Sequence, residues 1–129
     1  MIAVDTNILV RLLVQDDALQ AKKAEQLFAN EQIFIADTVL LETEWVLRFA
    51  YKLSAEDIYL GLTQLLGLEN VLVRDELAIQ KALNGFQSGL DFADAWHLVQ
   101  SQHCEKFATF DIKLIKKASG LFDCTPFNP

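Results

Sequence analysis

Four short apolar runs, regularly spaced, constrain the fold more than any other feature of the chain. Ile2-Ala3-Val4, Ile33-Phe34-Ile35-Ala36, Val71-Leu72-Val73 and Phe107-Ala108-Thr109-Phe110 are too short for helices and rich in β-branched or aromatic residues, so each is expected to form a strand. Between successive runs lie roughly 30 residues of helical pattern, room for the one or two helices that a crossover between parallel strands needs. The expected architecture is α/β: a single domain over residues 1–129, with a mostly parallel central sheet of four to five strands flanked by helices. The fifth strand would come from the tail Leu121 to Pro129, where Pro126 and Pro129 limit its extent.

Helix ends are legible as well. Asn7 can cap a helix over Ile8 to Val14, Asp17 with Gln20 and Ser54 with Asp57 form capping-box patterns, and Gly67 is a stop before the third strand. Asp91 stands where a cap is wanted before Phe92-Ala93-Asp94-Ala95-Trp96.

Composition excludes whole classes. An apolar content of 52% against five Gly and two Pro rules out a disordered or collagen-like chain. The longest unbroken apolar runs, Met1 to Val4 and Ile33 to Ala36, fall far short of the roughly 20 residues that span a bilayer. Met1 to Asp5 has neither a basic nor an extended apolar leader, so no secretory signal and a cytoplasmic location are expected. Cys104 and Cys124 are expected as free thiols, and their spacing matches no metal motif. Eleven Lys and Arg against 18 Asp and Glu give a net charge of −7, which argues against a protein that holds a polyanion by charge neutralisation alone. A nucleic-acid substrate would need divalent metal, a cationic partner or a second subunit to bring it in.

Ligands of open parallel sheets bind beyond the carboxyl ends of the strands. Asp5 directly follows the first run and Asp111 the fourth. On a helix from Thr38 to Lys52, Glu42 falls amid Val39, Trp45, Val46, Phe49 and Ala50, while Glu44 falls on the opposite, exposed side beside Arg48. A carboxylate in an apolar arc calls for a cation, although a place near a helix start also lets Glu42 complement the dipole. Asp94 likewise suits a helix first turn, yet it borders the apolar face of Ala95, Leu98 and Val99. It is therefore taken for the site and Asp91 for the cap, with Asp91 a second group able to face the site.

Four carboxylates converging at one sheet edge would repel each other, and hard divalent cations resolve that conflict. Carboxylate oxygens suit Mg²⁺ or Mn²⁺, one or two ions, and such sites are a device for phosphodiester cleavage. His97, three residues after Asp94, is better placed as a surface or packing residue than as a base, and Trp45, Trp96 and most of the nine Phe as core.

Val4-Asp5-Thr6-Asn7-Ile8-Leu9, Glu42-Thr43-Glu44-Trp45-Val46-Leu47, Asp91-Phe92-Ala93-Asp94-Ala95 and Thr109-Phe110-Asp111, in this order along essentially the whole chain, resemble the PIN-domain ribonucleases, specifically the VapC-type toxins of toxin–antitoxin pairs. That resemblance implies metal ligation by Asp5, Glu42 and Asp94 with Asp111 as a fourth member, and support from Thr6, Asn7 and Thr109. It further implies Mg²⁺- or Mn²⁺-dependent endonucleolytic cleavage of RNA, a homodimer, and inhibition by a cognate antitoxin. Arg11, Lys113, Lys116 and Lys117 are the candidate phosphate contacts, with Arg48 and Lys52 further basic residues. Two other readings compete: a non-catalytic Mg-binding phosphoacceptor or signalling module, and a partner-binding domain with an acidic patch.

Overall fold

A computed structural model describes all residues, 1–129, as two compact units, Met1–Arg74 and Asp75–Pro129. The first runs β1 (Ile2–Ala3), α1 (Thr6–Val14), α2 (Ala18–Asn30), β2 (Ile33–Phe34), α3 (Asp37–Phe49), α4 (Ala55–Leu66) and β3 (Val71–Leu72). The second runs α5 (Glu76–Gln87), α6 (Phe92–Gln100), β4 (Lys106–Ala108), α7 (Ile112–Ala118) and β5 (Thr125–Phe127). All four expected strands form, the tail supplies the fifth, and each of the first three crossovers carries two helices, so the α/β class and the parallel pairing hold.

The single central sheet does not. β1, β2 and β3 make a three-stranded parallel sheet with β2 in the middle, and β4 pairs in parallel with β5 as a separate two-stranded sheet. The strands are two or three residues long, so each offers few ladder bonds, and β4 finds its partner in the strand that follows α7. Pro126 sits within β5, acceptable because a strand with an open edge can spare one N–H. Backbone pairing outlasts the formal strands by a residue: the amides of Val4 and Ile35 donate to the carbonyls of Phe34 and Leu72 at 3.3 and 3.0 Å.

β2 anchors the first core. Ile33 and Ile35 are fully buried, with Leu9 of α1, Leu40 and Leu47 of α3, and Ile58 and Leu62 of α4. In the second unit, Leu90, Ala95, Leu98, Leu114 and Ala118 form a buried cluster with Phe107 and Phe122 packed on it. Gly85 of α5 makes the close approach possible, because a Cβ there would lie 2.9 Å from Phe122 and 3.0 Å from Ala95. Trp96 is core as expected, its ring 6.0 Å from that of Phe92. Both cysteines are free; Cys104 is exposed, and burial pushes the Cys124 thiol up. No helix is long and apolar enough to cross a membrane.

α1 and α3 are joined through a polar pin at their C-terminal ends. The Tyr51 hydroxyl donates to Asp16 at 2.8 Å, and the Arg11 guanidinium donates to Tyr51, Asp16 and Gln20 at 3.0, 3.1 and 2.7 Å. The Tyr51 bond, followed by the charge of Arg11, holds the Asp16 carboxyl below its usual range. Its folded value lies below the unfolded one, so the stabilisation is present at neutral pH and lost as pH falls through the depressed value. In Tyr51→Phe, the Asp16 carboxyl resonance followed by NMR should titrate at higher pH than in the wild type; an unmoved midpoint would place the cause elsewhere.

Candidate active site

Five helices begin on an aspartate whose side chain accepts a first-turn amide: Asp5, Asp17, Asp75, Asp91 and Asp111. Asp17 and Asp75 belong to no proposed site, so capping alone marks nothing. Asp5, Asp91 and Asp111 differ from these two in what surrounds them.

Asp5 corrects the expected start of the first helix. It leaves β1 in extended conformation and accepts from the Ile8 amide at 3.2 Å, so Asp5 rather than Asn7 is the cap and the helix begins at Thr6. Asn7 is exposed. Thr6 is buried, and its hydroxyl donates to Glu42 Oε1 across 36 residues of sequence. The first turn of α1 is thereby tied to the middle of α3, and Asp5 and Glu42 enter the same neighbourhood of the first unit with Glu42 exposed.

The expected apolar arc around Glu42 is reversed. Leu40, Thr43, Glu44 and Leu47 form the packed face of α3, whereas Trp45 is 55% and Phe49 49% exposed. α3 carries apolar residues on both sides, and local partners make polar residues tolerable inside. Thr43 donates to the Val39 carbonyl at 2.7 Å, and Arg48 Nε lies 2.9 Å from Glu44 Oε2. Glu44 is therefore a buried partner of Arg48, not an exposed one. On the outer side the Trp45 and Phe49 rings stand 5.1 Å apart, with the Arg48 guanidinium 4.7 Å from the Phe49 centroid.

In the second unit Asp91 caps α6 by accepting the Asp94 amide at 3.2 Å. Asp94 projects from the first turn, and its carboxyl is pushed above the usual range, first by burial and then by the charge of Asp91, with Asp111 adding to the rise and His97 opposing it. Asp94 thus senses the charges of both neighbouring caps, and His97 itself is exposed. Asp111 caps α7 through the Leu114 amide at 3.0 Å, and the half-buried Thr109 accepts the Asp111 amide through Oγ1, also at 3.0 Å.

Of the cations, Arg11 is engaged in the Asp16 and Tyr51 pin. Lys113, Lys116 and Lys117 stand exposed on α7, opposite the buried Leu114 and Ala118, with Lys117 Nζ 3.3 Å from the Gly89 carbonyl. No group of three or more His, Cys, Asp or Glu side chains is gathered closely enough to hold an ion. The donor chemistry nonetheless suits a hard cation, since Mg²⁺ typically takes only one or two carboxylates and completes its shell with water. The repulsion felt at Asp94 is the charge imbalance that such an ion would relieve.

A family model described as PIN domain matches residues 2–120, a stretch that runs through both units and contains every candidate acid. No curated protein matches the chain. PIN domains are generally nucleases, commonly metal-dependent ribonucleases, and they act on nucleic acid. With its parallel strands, paired crossover helices and acids all falling inside that match, the chain belongs to the PIN domain family, a nuclease fold.

Proposed function

We propose that the chain is a metal-dependent endoribonuclease, one PIN-like domain over residues 1–129, serving as the toxin of a toxin–antitoxin pair. The observation that carries this reading is the PIN domain match over residues 2–120, which contains all four acids, together with the Thr6 hydroxyl that holds Glu42 next to the helix Asp5 caps. Asp5, Glu42, Asp94 and Asp111 would hold one or two Mg²⁺ or Mn²⁺ ions, directly or through water. When bound, a divalent ion supplies Lewis acidity to the scissile phosphate and to the attacking water.

The chain's own residues orient that site. The Thr6 hydroxyl donates to Glu42 Oε1, and the second oxygen would serve as the ligand. Asp91 keeps the first turn of α6 in place under Asp94, and Thr109 does the same for the backbone of Asp111. Lys113, Lys116 and Lys117 suit phosphates of the strand. A net charge of −7 would steer a cationic antitoxin toward the protein, and a homodimer completes the assembly in this reading.

RNA incubated with the protein and Mg²⁺ or Mn²⁺ should be cut internally, and a chelator should stop the reaction. Asp5→Ala and Glu42→Ala should each lower the rate by about a hundredfold, since even groups behind metal ligands typically contribute 10- to 100-fold. Cleavage unchanged in both variants removes the proposal.

A further inference from the structure

Phe110 is the most exposed of the large apolar side chains, at 81%, and it lies between the two residues that shape the turn before α7. Thr109 accepts the Asp111 amide and Asp111 accepts the Leu114 amide, so the flanking side chains fix this turn. The Phe110 ring takes no share in that bonding and is left in solvent. Nothing in the fold calls for an aromatic residue here.

Charge around the ring is equally uneven. Three of the chain's eleven Lys and Arg fall within residues 113–117, in a protein whose net charge is −7. Their i, i+3, i+4 spacing places them on the outer side of α7, away from Leu114 and Ala118. An exposed aromatic ring a few residues ahead of a short cationic stripe is the combination that holds single strands: bases stack on the ring while ammonium groups meet phosphates. A duplex keeps its bases stacked on one another and offers no face to the ring.

We infer that Phe110 is a stacking platform for an unpaired base of the RNA next to Asp111, with Lys113 and Lys116 on neighbouring phosphates. This rests on the nuclease reading for the identity of the polymer. Phe110 is a specificity-determining residue in this scheme and takes no part in the chemistry. A protein partner would also cover an exposed ring, but the lysine stripe favours a polyanion, and the partner becomes an outcome of the test.

Fluorescence anisotropy on the full chain carrying Asp94→Asn would measure binding of a labelled single-stranded RNA and of the same strand annealed into a duplex. Adding Phe110→Ala should weaken single-strand binding about 10- to 100-fold, the range of one lost base stack, and change duplex binding little. Phe110→Trp should restore it, and the melting temperature should not move, because the ring is outside the core. Lys113→Gln with Lys116→Gln should flatten the plot of log affinity against log salt by about 0.7 per lost phosphate contact.

Equal RNA binding with and without Phe110 overturns the inference and leaves the surface to a protein partner. Equal loss on single strand and duplex also overturns it. Cleavage in the otherwise wild-type chain separates the two readings. Single-strand binding through Phe110 without any cleavage in Mg²⁺ or Mn²⁺ keeps the platform and removes the nuclease. Cleavage with KM unchanged in Phe110→Ala keeps the nuclease and removes the platform.

Discussion

Asp94→Asn is expected to lower RNA cleavage by about a hundredfold or more while leaving the protein at least as stable at neutral pH as the wild type. The first half follows from the proposed ligation by Asp94, where even supporting groups are typically worth 10- to 100-fold. The second follows from the sign of the shift. Burial and the charges of Asp91 and Asp111 raise the folded pKa of Asp94 above its unfolded value, with His97 opposing. Between the two values the folded state holds more protons than the unfolded one, so stability rises as pH falls through the raised value and is lowest with Asp94 ionised. Asparagine removes that cost, and the variant should lack the wild type's gain in melting temperature on mild acidification. Mn²⁺ at pH 7 should raise the melting temperature of the wild type and raise that of the variant less, because only the wild type has the repulsion to relieve. A variant that cleaves normally, or that melts well below the wild type at neutral pH, would separate Asp94 from the site.

The strands, the paired crossover helices and most caps could be read from the chain because each rests on short-range chemistry. Ile33-Phe34 is β-branched and aromatic, Asp17 and Ser54 precede amides that need an acceptor, and Gly67 ends a helix that no β-carbon obstructs. The division of the strands into two sheets was not legible, since pairing depends on where each crossover returns the chain. The start of α1 lies two residues earlier than its sequence suggests because Asp5 and Asn7 both suit a cap, and only the extended backbone at Asp5 decides between them. The place of Asp94 beside the buried Ala95, Leu98 and Val99 of α6 is legible because one side of that helix is plainly apolar. The α3 error has a different cause: Leu40, Leu41 and Leu47 compete with Trp45, Val46 and Phe49 for the interior, and periodicity cannot rank two apolar arcs. Packing chose the arc containing Thr43 and Glu44, whose polar atoms find partners on the same helix. The signal that could have shown this is the Glu44 and Arg48 spacing itself, read as a pair that permits burial. Phe110 was passed over because its place in a strand-like run suggested the core.

Arg48→Ala is the substitution that measures this reversal. On an exposed helix face an i,i+4 pair contributes about 0.3–0.5 kcal/mol, and its loss would hardly register. Glu44, however, is 1% exposed, and removing Arg48 takes away a charge that offsets the desolvation of its carboxylate. Such losses run to about 3–5 kcal/mol for fully buried pairs. Because the Arg48 side chain keeps about a third of its surface in water, the expected cost is nearer about 2–3 kcal/mol in urea unfolding, with the m-value unchanged. The charge can be isolated from the packing. Placing Glu44→Gln on the Arg48→Ala background removes the buried negative charge at nearly constant volume, so the double variant should be more stable than Arg48→Ala alone. Part of the loss will persist in either variant, since the Arg48 guanidinium also covers the Phe49 ring. A cost below about 0.5 kcal/mol for Arg48→Ala would return Glu44 to the surface. It would also turn Trp45 and Phe49 inward, and the tie between Thr6 and Glu42 could not then form as described.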